Sequence, residues 1–208
     1  MTYNELWNFS QKDFDQEQET TKTRWKYKIV DRVLYLCFEY TGSVLGWIYN
    51  FFFIPRLAKP YRNMPVTWFV HAGFRIKWRA VKDWVGMVIK ENLDKIDGIT
   101  ITGHSQGGAL ATLAHEYVKF NFPALSLKTI TFGAPRAVFF WNFKKVKDRF
   151  EGITHLRTYM DIVPHLPPKL IGYKDTGERI VLGKKKFHIP FPPRVIVKDH
   201  TSYGDYLK

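Results

Sequence analysis

Apolar positions along this chain recur in two alternating rhythms. Val33 to Phe38 is a continuous apolar run, as a strand buried on both faces requires. Phe74, Trp78, Val81, Val85 and Val88 repeat at helical spacing, which predicts a helix over 74–93. Asp97-Gly98 then turns the chain into a short β-branched strand, Ile99 to Thr102. A second helix is predicted from Gln106 to about Phe120, with Leu110, Leu113, Ala114, Tyr117 and Val118 on one face and Pro123 past its end. Leu127 to Phe132 and Ile153 to Met160 read as further strands, stopped by Gly133 with Pro135 and by Pro164. Tyr173 to Val181, divided by Asp175-Thr176-Gly177, reads as a hairpin. Strands that alternate with helices predict a mostly parallel sheet flanked by helices, an α/β fold.

Composition narrows the class. The chain has 208 residues, 45% of them apolar and 17% aromatic, which excludes disordered and fibrous readings. That length suits one globular domain, expected over 24–208, behind a polar and loosely attached lead-in over 1–23. Val33 to Pro55 is apolar enough to suggest a membrane span. It contains Glu39, Thr41, Gly42, Ser43, Gly46 and Asn50, however, so a buried strand followed by an apolar surface segment fits better. The lone Cys37 allows no internal disulfide, and the first residues carry no basic start with an apolar stretch. The expectation is a cytoplasmic protein, although a phage-borne or lysis-released one has the same features. The net charge of +13 implies attraction to polyanions, of which an anionic lipid surface is one and nucleic acid another. No zinc-ligand spacing, phosphate-cradling loop or RNA-binding signature accompanies that charge, so no metal, cofactor or specific nucleic acid is expected.

The segment that carries chemistry is Ile99-Thr-Ile-Thr-Gly-His-Ser-Gln-Gly-Gly-Ala-Leu-Ala, which contains Gly103-x-Ser105-x-Gly107. The motif falls where a β-branched strand ends and an Ala-rich helix begins, as a nucleophile elbow demands. Side chains at 103 and 107 would collide with the adjacent strand and helix, and Gly108 lets the helix lie close to the sheet. The elbow also sets Ser105 at a helix N-terminus, where backbone N–H groups favour an oxyanion.

Three further blocks accompany it: Val70-His71-Ala72-Gly73-Phe74, Thr131-Phe132-Gly133-Ala134-Pro135-Arg136 and Asp161-Ile162-Val163-Pro164-His165-Leu166-Pro167. In this order, with Thr102 to Ala111 among them, they resemble the class 3 (fungal-type triacylglycerol) lipases over roughly Val33 to Tyr203. The resemblance implies the α/β-hydrolase fold and a Ser-His-acid triad acting through an acyl-enzyme.

In such folds the acid follows the serine in the chain and the histidine follows the acid. Asp161, Asp148 and Asp175 are the candidate acids. Asp148 sits in a Lys-rich stretch and Asp175 in a turn, whereas Asp161 stands between a predicted strand and a proline-rigid turn, where the resemblance also places the acid. His165, His188 and His200 follow it. The family carries its base in a late Asp-His-x-x-Tyr context, which Asp199-His200-Thr201-Ser202-Tyr203 resembles, so His200 is the expected base. His71, His104, His115 and His155 precede the acid and read as packing or capping residues.

The backbone N–H of Gln106 is the first expected oxyanion donor. The second comes, in the family, from a Phe-Arg-Gly-Ser/Thr loop. Here Phe38-Glu39-Tyr40-Thr41 has a similar spacing, with Glu39 and Tyr40 replacing arginine and glycine, and Thr41 is the expected donor. The aromatic segment Gly46 to Leu57, with Trp47, Phe51, Phe52 and Phe53, takes the position of the family lid over the acyl pocket. A helix packed permanently into the core is the other reading of it.

Two functions remain open on the sequence. One is a serine carboxylic ester hydrolase acting on lipid or other water-insoluble esters, in transient contact with an anionic membrane; a thioesterase or amidase would use the same residues. The other is a catalytically degenerate module that binds anionic membrane or nucleic acid through its basic surface, a reading that the altered oxyanion loop favours.

Overall fold

The computed structural model describes residues 1–40, 54–58, 66–183 and 200–207. In chain order these form α1 (Tyr3–Phe9), β1 (Gln16–Gln18), β2 (Thr23–Val30), β3 (Val33–Phe38), β4 (Pro55–Leu57), β5 (Phe69–His71), α2 (Ala72–Glu91) and β6 (Gly98–His104). There follow α3 (Gln106–Asn121), β7 (Ser126–Phe132), β8 (Val138–Phe139), α4 (Phe143–Val146), β9 (Ile153–Thr158), β10 (Tyr173–Lys174) and β11 (Glu178–Leu182). Short 3-10 turns at Lys147–Phe150, Val163–His165, Lys169–Ile171 and Tyr203–Tyr206 complete the described chain.

Among the described residues the main sheet runs β1-β2-β3-β6-β7-β9-β11. β1, β2 and β3 form an antiparallel meander, and β3, β6, β7, β9 and β11 are all parallel. Every parallel strand therefore ends on the same edge, where sites in open α/β sheets lie. Both sheet faces are covered. Side chains alternate along β3, so Leu34, Leu36 and Phe38 enter the larger core with Phe74, Trp78, Val81, Val85 and Ile89 of α2. Tyr35 points the other way, into a second core with Leu6, Trp7, Ile130, Phe132, Leu156 and Tyr203. Burial of each large side chain on the α2 stripe contributes about 1.5–3 kcal/mol relative to exposure, and together these side chains fix that helix. A smaller sheet, β10-β8-β5-β4, is antiparallel.

Two expectations are corrected. Residues 1–23 are not loosely attached. Thr2 and Glu5 form a reciprocal capping box on α1 (2.6 and 3.3 Å), Leu6 and Trp7 are buried, and β1 pairs with β2. A stretch this polar hides its attachment because only a few side chains make it. Tyr173 to Val181 is not a hairpin either. β10 pairs with β8 and β11 joins β9 in parallel, so the strands belong to different sheets. The residues between them do not close a turn, and Asp175 is held instead in ion pairs with Arg136 (2.6 Å), Arg179 and Lys169. No helix among the described residues is long and apolar enough to cross a membrane.

Candidate active site

β6 feeds directly into α3 through Ser105, whose φ of 54° and ψ of −122° lie where L residues rarely go. The strained turn is held from several sides. Ser105 N–H donates to the Phe132 carbonyl at the end of β7 (2.9 Å), and the Ser105 carbonyl accepts from Gly108 and Ala109 (3.0 and 3.2 Å). A Cβ at Gly107 would run into the carbonyl oxygens of Phe38 and Glu39, so the first turn of α3 rests against the end of β3. Ser105 is fully buried, and its Oγ has no hydrogen-bond partner among the described residues.

Asp161 follows β9 on the same sheet edge and is buried. Its Oδ1 accepts from the Val163 backbone (2.9 Å), and its Oδ2 accepts from Tyr203 (2.5 Å) and from Nδ1 of His200 (2.8 Å). A carboxylate only accepts, so Nδ1 of His200 carries a proton and, in the neutral ring, Nε2 presents a lone pair. That Nε2 is buried and unbonded, like Ser105 Oγ, and no hydrogen bond joins the two. The ring is anchored through the residue before the serine. Nε2 of His104 donates to the His200 carbonyl (2.7 Å), and the two imidazoles lie 4.6 Å apart. Burial, with His200 beside it, pushes His104 down to about 3, so it stays neutral. Beneath the pair lies Gly133 with φ +60°. A Cβ there would stand 2.8 Å from both Asp161 Oδ2 and His200 Cε1.

The competing residues are engaged elsewhere. Asp175 is in the cation cluster described above, Asp148 lies in a 3-10 turn, and Nε2 of His165 accepts from Arg157. His115 bonds Thr129 and the Glu151 carbonyl (both 2.9 Å), and His155 bridges Thr131 and Thr176 (2.7 and 3.0 Å), as packing residues do. Gln106 opens α3, and its backbone N–H therefore precedes any intrahelical partner. Its side chain accepts from Lys77 (3.2 Å). Thr41, Trp47, Phe51, Phe52, Phe53 and His188 lie outside the described residues. No three His, Cys, Asp or Glu side chains among the described residues form a group that could hold a metal ion.

Three supporting residues escaped the sequence. Tyr203 donates to the acid, and burial with the Asp161 charge pushes its phenol well up, so it remains a donor. Trp7 packs edge-on to His104 (5.1 Å) and Phe132 (5.3 Å) and lies against Tyr203 (5.4 Å). Arg136 donates to the carbonyls of His165 and Pro167, pinning the loop behind Asp161. Its only advance signal was its place at the end of a motif block.

Comparison with known proteins identifies the family. Residues 35–171 match the family described as lipase (class 3). The chain belongs to that family. It is 32% identical over 196 residues to the lipase of Rhizopus niveus, across 84% of this chain and 48% of that protein. It is 33% identical over 141 residues to the secreted mono- and diacylglycerol lipase 1 of Fusarium solani, across 65% of this chain and 39% of that protein. Among solved structures it resembles a triacylglycerol lipase whose catalytic centre is a serine protease triad. There the TM-score is 0.71 at 25% identity, over 81% of this chain and 65% of the other. The fold of this class 3 lipase-family chain is thus the α/β-hydrolase fold, and the chain spans about half the length, or less, of these curated relatives. The cytoplasmic placement expected from the sequence is corrected here, because a relative is named as secreted and points outside the cell. Cys37 is a buried free thiol whose removal from water raises its pKa, a core residue that reports on packing and not on compartment.

Proposed function

We propose that this chain hydrolyses carboxylic esters of lipids, with Ser105 as nucleophile, His200 as base and Asp161 as the acid that orients it. The observation that carries the reading is a buried Asp161–His200 pair whose tautomer leaves Nε2 as an unbonded acceptor, on the sheet edge where the strained Ser105 hydroxyl is also unbonded. Nε2 of His200 takes the hydroxyl proton as Ser105 Oγ bonds to the ester carbonyl carbon. Asp161 stabilises the imidazolium. The developing oxyanion faces the N–H of Gln106, at the positive end of a 16-residue helix, and in the family's pattern Thr41 as second donor. Collapse of the intermediate breaks the C–O bond, and the alcohol leaves with the proton from His200. Water, deprotonated by the same imidazole, then releases the acid and restores Ser105. A module that only binds has no use for a strained serine beside an oriented imidazole.

Ser105→Ala is expected to abolish both fluorophosphonate labelling and hydrolysis across a panel of p-nitrophenyl esters and phospholipids, a loss of several orders of magnitude. Retained labelling would sink the assignment. The substrate is presented at a surface, and the net charge of +13 favours an anionic one. Hydrolysis is expected to be faster on anionic vesicles than on neutral ones, with a gain that shrinks as salt is added. A gain insensitive to salt would remove the electrostatic argument.

A further inference from the structure

A cleft of about 330 Å³ opens against the first turns of α3, walled by residues of β1 and β2, the end of β3 and α2. Small-ligand sites begin at about this size, roughly 300 Å³. Its chemistry is lopsided. Glu39 is paired with Arg24 (2.9 Å), and Glu17 with Lys22 (3.2 Å) and Arg24 (3.6 Å), so the carboxylates of the cleft are already matched. Lys77 remains. Among the described residues no carboxylate lies within ion-pair distance of it, and its hydrogen bond goes to the neutral Oε1 of Gln106 at 3.2 Å. Burial disfavours its charge and pulls its pKa down, outweighing the more distant attraction of the Glu39 carboxylate. That same bond fixes the amide of Gln106, because a lysine only donates and must face the oxygen. Nε2 of Gln106 is then left buried without an acceptor, on a residue 1% exposed. Three cations of the cleft, Lys22, Arg24 and Lys77, outnumber its two carboxylates, and the Gln106 amide adds a donor that has no partner among the described residues.

We propose that this cleft binds a phosphate group, held by Nζ of Lys77 and Nε2 of Gln106. A phosphate only accepts, offsets the excess of cations and satisfies both donors, whereas an acyl chain would satisfy neither. Gln106 follows Ser105 directly in the chain, so the cleft and the nucleophile share the first turn of α3, and a glycerolipid headgroup is one source of the phosphate. The headgroup form of the proposal rests on the ester-hydrolase reading; the phosphate site does not.

The test separates the two. In the Ser105→Ala protein, where turnover plays no part, inorganic phosphate and sn-glycerol 3-phosphate are titrated by calorimetry. Saturable binding is expected, weakened roughly tenfold or more by Lys77→Met and kept within about threefold by Lys77→Arg. Circular dichroism and urea midpoints establish that both variants are folded. Absence of saturable binding, or equal affinity in folded Lys77→Met, overturns the proposal. A headgroup site binds glycerol phosphate more tightly than inorganic phosphate, and in the Ser105 enzyme Lys77→Met lowers the rate on phosphatidylglycerol relative to diacylglycerol. Equal affinity for the two anions, with that ratio unchanged, assigns the site to free phosphate. Failure of the hydrolase reading appears separately, as absent fluorophosphonate labelling of Ser105.

Discussion

Replacing Trp7 by alanine tests whether the N-terminal helix supports the active site or merely accompanies it. The indole is 6% exposed and touches Phe132, His104 and Tyr203, at ring separations of 5.1–5.4 Å. A Cβ at Gly204 would meet its Nε1 at 2.8 Å, so the ring fills its space down to the backbone. Removing such a ring costs about 3–5 kcal/mol, out of a total that for a domain is roughly 5–15 kcal/mol. Where the fold survives at 25 °C, lost activity then reports geometry instead of unfolding. Trp7 bears on His104, which holds the His200 carbonyl, and on Tyr203, which donates to Asp161. A displacement of ~1 Å in such a pair lowers turnover by roughly 100-fold. Urea denaturation followed by tyrosine and tryptophan fluorescence gives the stability, and p-nitrophenyl butyrate hydrolysis by the folded fraction gives the rate. Both are expected to fall, with Trp7→Phe recovering most of each. An unchanged urea midpoint would refute the packing argument. A lowered midpoint with full turnover would refute the link from α1 to the imidazole.

Gly133→Ala places a methyl 2.8 Å from Asp161 Oδ2 and His200 Cε1 at a φ of +60°. Turnover is expected to fall about 100-fold with a stability loss of about 1–3 kcal/mol, and wild-type kinetics in this variant would show that the pair has room to spare. Burial holds His104, His115 and His155 down to about 3, 4 and 3, so the fold keeps them neutral while the unfolded chain protonates below about pH 6.5. Between those values the unfolded state binds more protons. Their contribution is therefore complete above about pH 6.5 and is lost as pH falls, by about 1.4 kcal/mol per unit for each and roughly 4 for the three together. The urea midpoint at about pH 5.5 is expected well below that at about pH 7.5, and equal midpoints would contradict it.

What the chain announced by itself was local. The stripe from Phe74 to Val88 repeats every three to four residues because one face of a helix must meet the core, and α2 carries it. Gly103-x-Ser105-x-Gly107 marks the elbow because the first turn of α3 presses on the end of β3, and glycine alone leaves that space. The alternation of strand and helix likewise follows from short-range periodicity, and the parallel order of β3, β6, β7 and β9 agrees with it. Pairing Asp161 with His200 needed the order of the motif blocks, since 39 residues separate them and neither has a local signature of its partner. The remainder was decided by contacts between distant segments. Asp175 looks like a turn former in its own neighbourhood, yet it pairs with Arg136, 39 residues away, while β10 and β11 join different sheets. Trp7 sits in a polar stretch, and nothing nearby shows that it will meet Phe132, His104 and Tyr203. Periodicity reports the face a residue turns toward the core. Which charged or aromatic partner waits there is set by the folded sheet, which brings remote strand ends to a single edge.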